Sequence, residues 1–247
     1  MAIDLEAIRQ KHAEISNGPG GGGGNFMDTF LQLQEGSNVV RILPGKDEDT
    51  QFYAETKIHR VQSEEDGKFR NVHCRQILGE KCPLCELYYG LWKTGVKSDE
   101  DIARKVKGRS RYYMNVVDRE TGQVKILSTG IMLFTKILNT ILDEDYGDIT
   151  DLKSGHDFKI IKEMLDKFPR YDQSSARPKS TEAGSKAAVA EWMDSLHDVH
   201  GLVKLEEYGD VLAVAEDHTP PSMQSRSLTE APGKEGSDEE FLNKMQS

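Results

Sequence analysis

All three cysteines of this chain, Cys74, Cys82 and Cys85, fall within twelve residues of one another, and His59 stands one hairpin upstream. Cys82-Pro-Leu-Cys85 has the two-residue spacer that lets two thiolates wrap one tetrahedral ion from a single turn. Cys74 and one histidine complete a Cys₃His set of the kind that holds structural Zn²⁺. His59 is the expected histidine. His73 adjoins Cys74, and neighbours on an extended strand point to opposite faces. His59 can face Cys74 across a hairpin that turns at Glu65-Asp66-Gly67-Lys68. His73 is the fallback ligand.

Two other chemistries use similar residues. A dithiol oxidoreductase places Cys-x-x-Cys at the start of a helix after a strand of a βαβ unit, and no alternating β/α pattern surrounds this one. A zinc deaminase needs His-x-Glu and Pro-Cys-x-x-Cys, whereas this chain reads His59-Arg-Val and Lys81-Cys82. Three merely buried cysteines are the plainest alternative.

The chain has 247 residues, 36% of them hydrophobic, enough to bury a real core. Mean hydropathy is −0.61, and no apolar run approaches the ~20 residues of a membrane span. Met1-Ala-Ile-Asp-Leu-Glu6 is already charged, so no secretion signal is expected. Clustered free cysteines fit a reducing cytoplasm. The net charge of −10 is unevenly spread. Between Val39 and Lys136 there are 18 Lys+Arg against 14 Asp+Glu, a net of +4. Between Asp172 and Ser247 there are 7 against 15, a net of −8. That asymmetry suggests a polyanion-binding core with an acidic tail.

Residues 1–24 read as an arm. Ile3, Leu5, Ile8 and Ile15 have roughly helical spacing, and the glycine run that ends at Gly24 is a flexible linker. Such an arm either joins neighbouring molecules or frays. From Asn25 the pattern turns to strands: Val39–Leu43, Phe52–Val61 with His59, and Lys68–Ile77 with Cys74. Glu86–Trp92 is a short helix that Pro83 helps to start. The folded core is read as residues 25–218.

Arg104, Lys105, Lys107, Arg109 and Arg111 then occur without one acid, and Tyr112 and Tyr113 begin a strand. Cations neutralise phosphates and release counterions, and aromatic faces stack on any base. The ordinary reading is a solvated loop before a core strand. Ile131–Leu142 is a packing helix with Ile131, Phe134, Ile137, Leu138 and Ile141 on one face. A strand covers His156–Glu163, and Phe168-Pro-Arg170-Tyr171 sets two more aromatics about an arginine. Thr181-Glu182 is expected to cap a helix with Val189, Trp192, Met193, Leu196 and Val199 on its inner face. Leu202–Ala215 completes the folded part, and residues 219–247 read as a disordered acidic tail. Its end, Asp238-Glu239-Glu240-Phe241-Leu242, has the makeup of a peptide that docks in a basic-rimmed apolar groove of a partner protein, competes with a polyanion for the protein's own basic residues, or simply solubilises.

As a set, these features resemble the zinc-containing single-stranded DNA-binding proteins of tailed phages, the helix-destabilising type of the T-even phages. The resemblance runs from the strand Val39-Val-Arg-Ile-Leu-Pro44, through His59, Cys74 and Cys82-Pro-Leu-Cys85, to the basic run before Tyr112-Tyr113. It continues in Gly155-His-Asp-Phe-Lys-Ile and Phe168-Pro-Arg-Tyr171-Asp. The resemblance implies an OB-fold barrel carrying a zinc subdomain at about residues 55–95, mainly β with added helices, and a basic cleft for single-stranded DNA. It implies one structural zinc on His59, Cys74, Cys82 and Cys85. It implies cleft contacts from Arg104, Lys105, Lys107, Arg109, Arg111, Tyr112, Tyr113, Phe168, Arg170 and Tyr171. The N-terminal arm would serve cooperative binding, and the acidic tail would recruit replication and recombination proteins. The arm here departs from that pattern in its mixed charge and glycine run.

The expected protein is therefore not an enzyme. It coats single-stranded DNA in phage replication, recombination and repair, in the cytoplasm of an infected bacterium. The alternatives are a zinc-ribbon adaptor that binds only protein, or a Cys-x-x-Cys oxidoreductase.

Overall fold

The structure, a computed structural model, describes residues 26–63, 67–166 and 168–220. The N-terminal arm and the acidic tail, with Asp238 to Leu242, lie outside the described residues, as do Glu65 and Asp66 of the hairpin turn.

The elements in chain order are β1 (Gly36–Ile42), β2 (Tyr53–Gln62), β3 (Phe69–His73), α1 (Pro83–Lys93) and α2 (Lys97–Val106). They continue with β4 (Gly108–Asp118), β5 (Val124–Thr129), α3 (Ile131–Leu142) and β6 (Asp157–Leu165). Last come β7 (Phe168–Arg170), β8 (Ser175–Ala176), α4 (Lys186–Asp194) and α5 (Tyr208–Asp217). The β-led architecture with added helices is the one expected. The chain forms two compact units, one of residues 26–55 with Ser110–Val203, the other of Thr56–Arg109 with 204–220.

The first unit is built on an antiparallel sheet. β1 pairs with β4 on one side and with β6 on the other, β5 adds to β4, and β7 and β8 add to β6. Strand β4 is buried without a break from Tyr112 to Val117, as a strand covered on both faces must be. Val40, Ile42, Met114, Val116, Phe158 and Ile160 form the centre of the core. Helix α3 has the bounds that its periodicity predicts and covers this core with Leu133, Phe134 and Ile137. Among the described residues no strand pairing closes the sheet on itself.

One arginine organises the interior of this unit. Arg41 is fully buried, and its Nε donates to Asp157 Oδ1 at 3.0 Å. Its Nη2 donates to the Thr181 hydroxyl at 2.7 Å and the Thr181 carbonyl at 2.9 Å. A buried guanidinium requires such acceptors, and Thr181 is thereby drawn away from the capping role expected of it. Ser185 caps α4 instead, its hydroxyl accepting from the Ala188 N–H at 3.2 Å. No residue of α4 is fully buried, so Val189, Trp192 and Met193 form a half-covered face rather than core.

In the second unit, β2 and β3 make the expected hairpin, with His59 opposite Val72 and Ile58 opposite His73. Cys82 sits at the N-cap of α1 and Pro83 in its first turn, where a missing N–H costs nothing. Leu84, Leu87 and Leu91 of α1 pack with Val61, Val72 and Val106. The segment after residue 204 adds α5, whose Val211, Val214 and Ala215 join this same core. Helix α2 begins with Asp99 and Glu100 and ends with Arg104 and Lys105, a charge order that complements the helix dipole. Among the described residues no helix is long and apolar enough to cross a membrane.

Candidate metal centre and nucleic-acid interface

The ligand atoms of His59, Cys74, Cys82 and Cys85 all lie within 4.8 Å of one another, and all four residues are buried. Strand β2 supplies His59, the end of β3 supplies Cys74, and the start of α1 supplies the other two. Cys74 Sγ is 3.4 Å from Cys85 Sγ, and His59 Nε2 is 3.5 Å from the sulfurs of both Cys82 and Cys85. A tetrahedral Zn²⁺ with bonds of about 2.0–2.3 Å spaces its ligands by much the same distances. The donor set is closed and sulfur-rich, the composition of a structural rather than a catalytic zinc site.

The neighbours of this cluster fit a metal as well. His59 Nδ1 bonds to the Val106 carbonyl at 2.7 Å, which assigns the proton to Nδ1 and leaves the Nε2 lone pair facing the sulfurs. Burial works against a charged His59, but bonds to Cys74, Cys82 and Val106 outweigh it and push the metal-free pKa up to about 9. Hydrogen bonds from Cys74, Cys85 and His59 hold the Cys82 thiol well below its ordinary value. The Cys85 thiol, beside Cys74 and Cys82, is pushed up. Lys57 Nζ lies 3.7 Å from Cys85 Sγ. Burial opposes its charge, yet the Cys85 and Cys74 sulfurs raise its pKa, so an ammonium stands against a site whose zinc complex carries one net negative charge. His73, the fallback ligand, is outside the cluster; its Nδ1 is 2.9 Å from Thr56 Oγ1.

One determinant was not read from the sequence. A β-carbon on Gly108 would come 2.9 Å from His59 Cε1 and 2.7 Å from Lys57 Cε. Only a glycine lets the chain leaving α2 pass so close to the imidazole. Its position amid the basic run was the available signal.

The candidate nucleic-acid contacts divide between the two units. In the second, Arg104, Lys105, Lys107 and Arg109 are all exposed. Arg104 is already engaged, with Nη1 2.8 Å from Asp101 and Nη2 3.3 Å from Glu100. Lys107 Nζ stands 5.9 Å from the centre of the Tyr88 ring. In the first unit Arg111 and Arg170 are exposed, as is Phe168 at 68%. Tyr112 and Tyr113 are buried, at 5% and 8% exposure. The Tyr112 ring stacks on Phe134 at 3.8 Å between centroids, and its hydroxyl donates to Glu55 at 3.1 Å. Tyr113 meets Phe30 edge to face. Tyr171 is half-buried against the core, leaving Phe168 as the fully presented ring of the four.

Comparison with known proteins bears on this arrangement. A family profile described as "gp32 DNA binding protein like" matches residues 34–217, which take in the metal cluster, the basic run and the β6–β7 hairpin. A search of curated proteins finds no match.

Proposed function

The chain belongs to the gp32-like DNA-binding protein family, and on that premise we propose that it coats single-stranded DNA without strong sequence preference and is not an enzyme. The observation that carries the reading is the family match over residues 34–217. The exposed cations Lys105, Lys107, Arg109, Arg111 and Arg170 support it, since none is paired with a carboxylate among the described residues. Each can neutralise a phosphate and release its counterion. Phe168 offers an exposed face for a base, an interaction of about 1–3 kcal/mol that tolerates any sequence.

Zinc has a structural part in this proposal. Held by His59, Cys74, Cys82 and Cys85, it ties β2, β3 and α1 together, so that its binding energy becomes folding energy. The basic end of α2 is anchored to the same centre through Val106 and His59. The antiparallel sheet of the first unit serves as an OB-type core. We assign the protein to phage replication, recombination and repair in the cytoplasm of a bacterial host. Its N-terminal arm contacts the next molecule along the strand, and its acidic tail recruits replication proteins.

Titration with poly-dT at low and high salt, followed by intrinsic fluorescence, tests the reading. Quenching that weakens as salt rises supports it. Zinc retention without any quenching at low salt would instead favour a protein-binding adaptor.

A further inference from the structure

Helix α3 does not close on its core at its N-terminal end. Leu133, Phe134 and Ile137 are buried, but Ile131 and Met132 are 53% and 52% exposed. Helical periodicity assigns Ile131 to the packing face. The strand leading into the helix instead presents its first turn to solvent, and two large apolar side chains stand there side by side.

A cation shares the location. A β-carbon on Gly130, the N-cap of α3, would lie 3.7 Å from Arg111 Nη1, so the guanidinium hangs over the helix start. Arg111 makes no ion pair among the described residues. No side chain caps the first-turn N–H groups of α3, and their dipole favours an anion at the same point. Burial raises the phenol pKa of both Tyr113 and Tyr171, while the charge of Arg111 pulls each back. Both tyrosines therefore lie within its field.

We infer that Ile131, Met132 and Arg111 form a contact patch for one nucleotide step of a single strand. The guanidinium takes a phosphate, and the two apolar side chains take the face of the adjoining base or sugar. The inference deepens the proposed function and rests on it. The occupant follows from the mixed chemistry of the patch. A purely apolar partner would desolvate Arg111 without pairing it. A single strand alternates a phosphate with an apolar face at every residue, which matches a cation beside an apolar pair.

The test uses the full, zinc-loaded chain and a labelled oligothymidylate, with anisotropy read over a range of salt. Glutamine replacements keep helix propensity at exposed positions, so the double variant Ile131→Gln/Met132→Gln should fold as the parent does. It is expected to bind roughly tenfold more weakly, equivalent to about 1.4 kcal/mol, with an unchanged salt slope. Arg111→Gln should lower the magnitude of the slope by about 0.7 unit. In methyl spectra, the Met132 signal should shift on adding the oligonucleotide. Parental affinity in the double variant, or an unmoved Met132 signal, overturns the patch while leaving the proposed function standing. A parent that binds no single strand overturns both. If the parent self-associates without nucleic acid and the double variant does not, the patch belongs to a second copy and the inference is wrong.

Discussion

His59 Nδ1 sits 2.7 Å from the carbonyl oxygen of Val106, the last residue of α2. One hydrogen bond thus couples the orientation of the expected zinc ligand to the helix end from which the basic run departs. Gly108 makes the approach sterically feasible. Replacement Gly108→Ala should displace the imidazole and weaken zinc binding by about 10- to 100-fold, as disturbance of a ligand's support typically does. Competition against a chromophoric chelator reads this directly, and an unchanged affinity would show that the close approach has no bearing on the metal.

Metal binding should also depend on pH with a definite sign. Without metal, the raised His59 pKa of about 9 means that the imidazolium is stabilised by the surrounding sulfurs. That stabilisation is complete below the unfolded histidine value of about 6.5 and is lost as pH rises through about 9. Zinc needs the neutral imidazole and three thiolates, so loading must release protons. Apparent zinc affinity should therefore rise from pH 6 to pH 8, with proton release measurable by calorimetry in buffers of different ionisation enthalpy.

Stripping zinc should unfold the second unit selectively. Its core is built directly around the three cysteines, whereas the first unit has its own core about Val40, Met114 and Phe158. Amide exchange after chelation should show lost protection at Val72, Leu87 and Val211 and retained protection at Met114 and Val116. Uniform protection across both units would remove zinc from its structural role.

Asp157 accepts from two arginines, at 3.0 Å from Arg41 Nε and 2.7 Å from Arg119 Nη2. Asp157→Ala would leave the fully buried Arg41 charge without its counterion. A cost of about 3–5 kcal/mol is expected for breaking such a pair. Urea denaturation would read it, and a loss below about 1 kcal/mol would place the pair among surface bridges of little weight.

The ring positions predict an asymmetry among the aromatics. Phe168→Ala should cost about 1–3 kcal/mol in single-strand affinity without altering the salt slope. Tyr112→Phe removes only a hydroxyl already bonded to Glu55 from a ring whose face Phe134 covers. It should leave affinity nearly unchanged, and a large loss would mean that Tyr112 becomes exposed when the strand binds.

The metal cluster was legible because thiolate spacing is a local constraint, and strand alternation chose His59 over His73. Helix α3 was legible by its apolar period. The burial of Tyr112 was not, because a tyrosine on a strand serves a core or a base equally well. The choice is made by Phe134, distant in sequence but stacked on the ring. Helix α2 was hidden for a related reason. Its basic last turn reads as an isolated charge run until Asp99 and Glu100 are recognised as its acidic beginning. Nor does local pattern show that Val211 and Ala215 return to the metal-bearing core. The capping role of Thr181 was overridden by Arg41, whose buried charge needs acceptors that only tertiary structure brings near.

The most direct test of the account is the salt dependence of poly-dT binding by the zinc-loaded protein. Five unpaired cations, at about 0.7 unit each for single strands, predict a slope of log affinity against log salt of about −3 to −4. Its magnitude should fall by about 0.7 unit in Arg109→Gln, the share of one cation on a single strand. A slope near zero, or no binding at low salt, would contradict the assignment of these residues to single-stranded DNA binding.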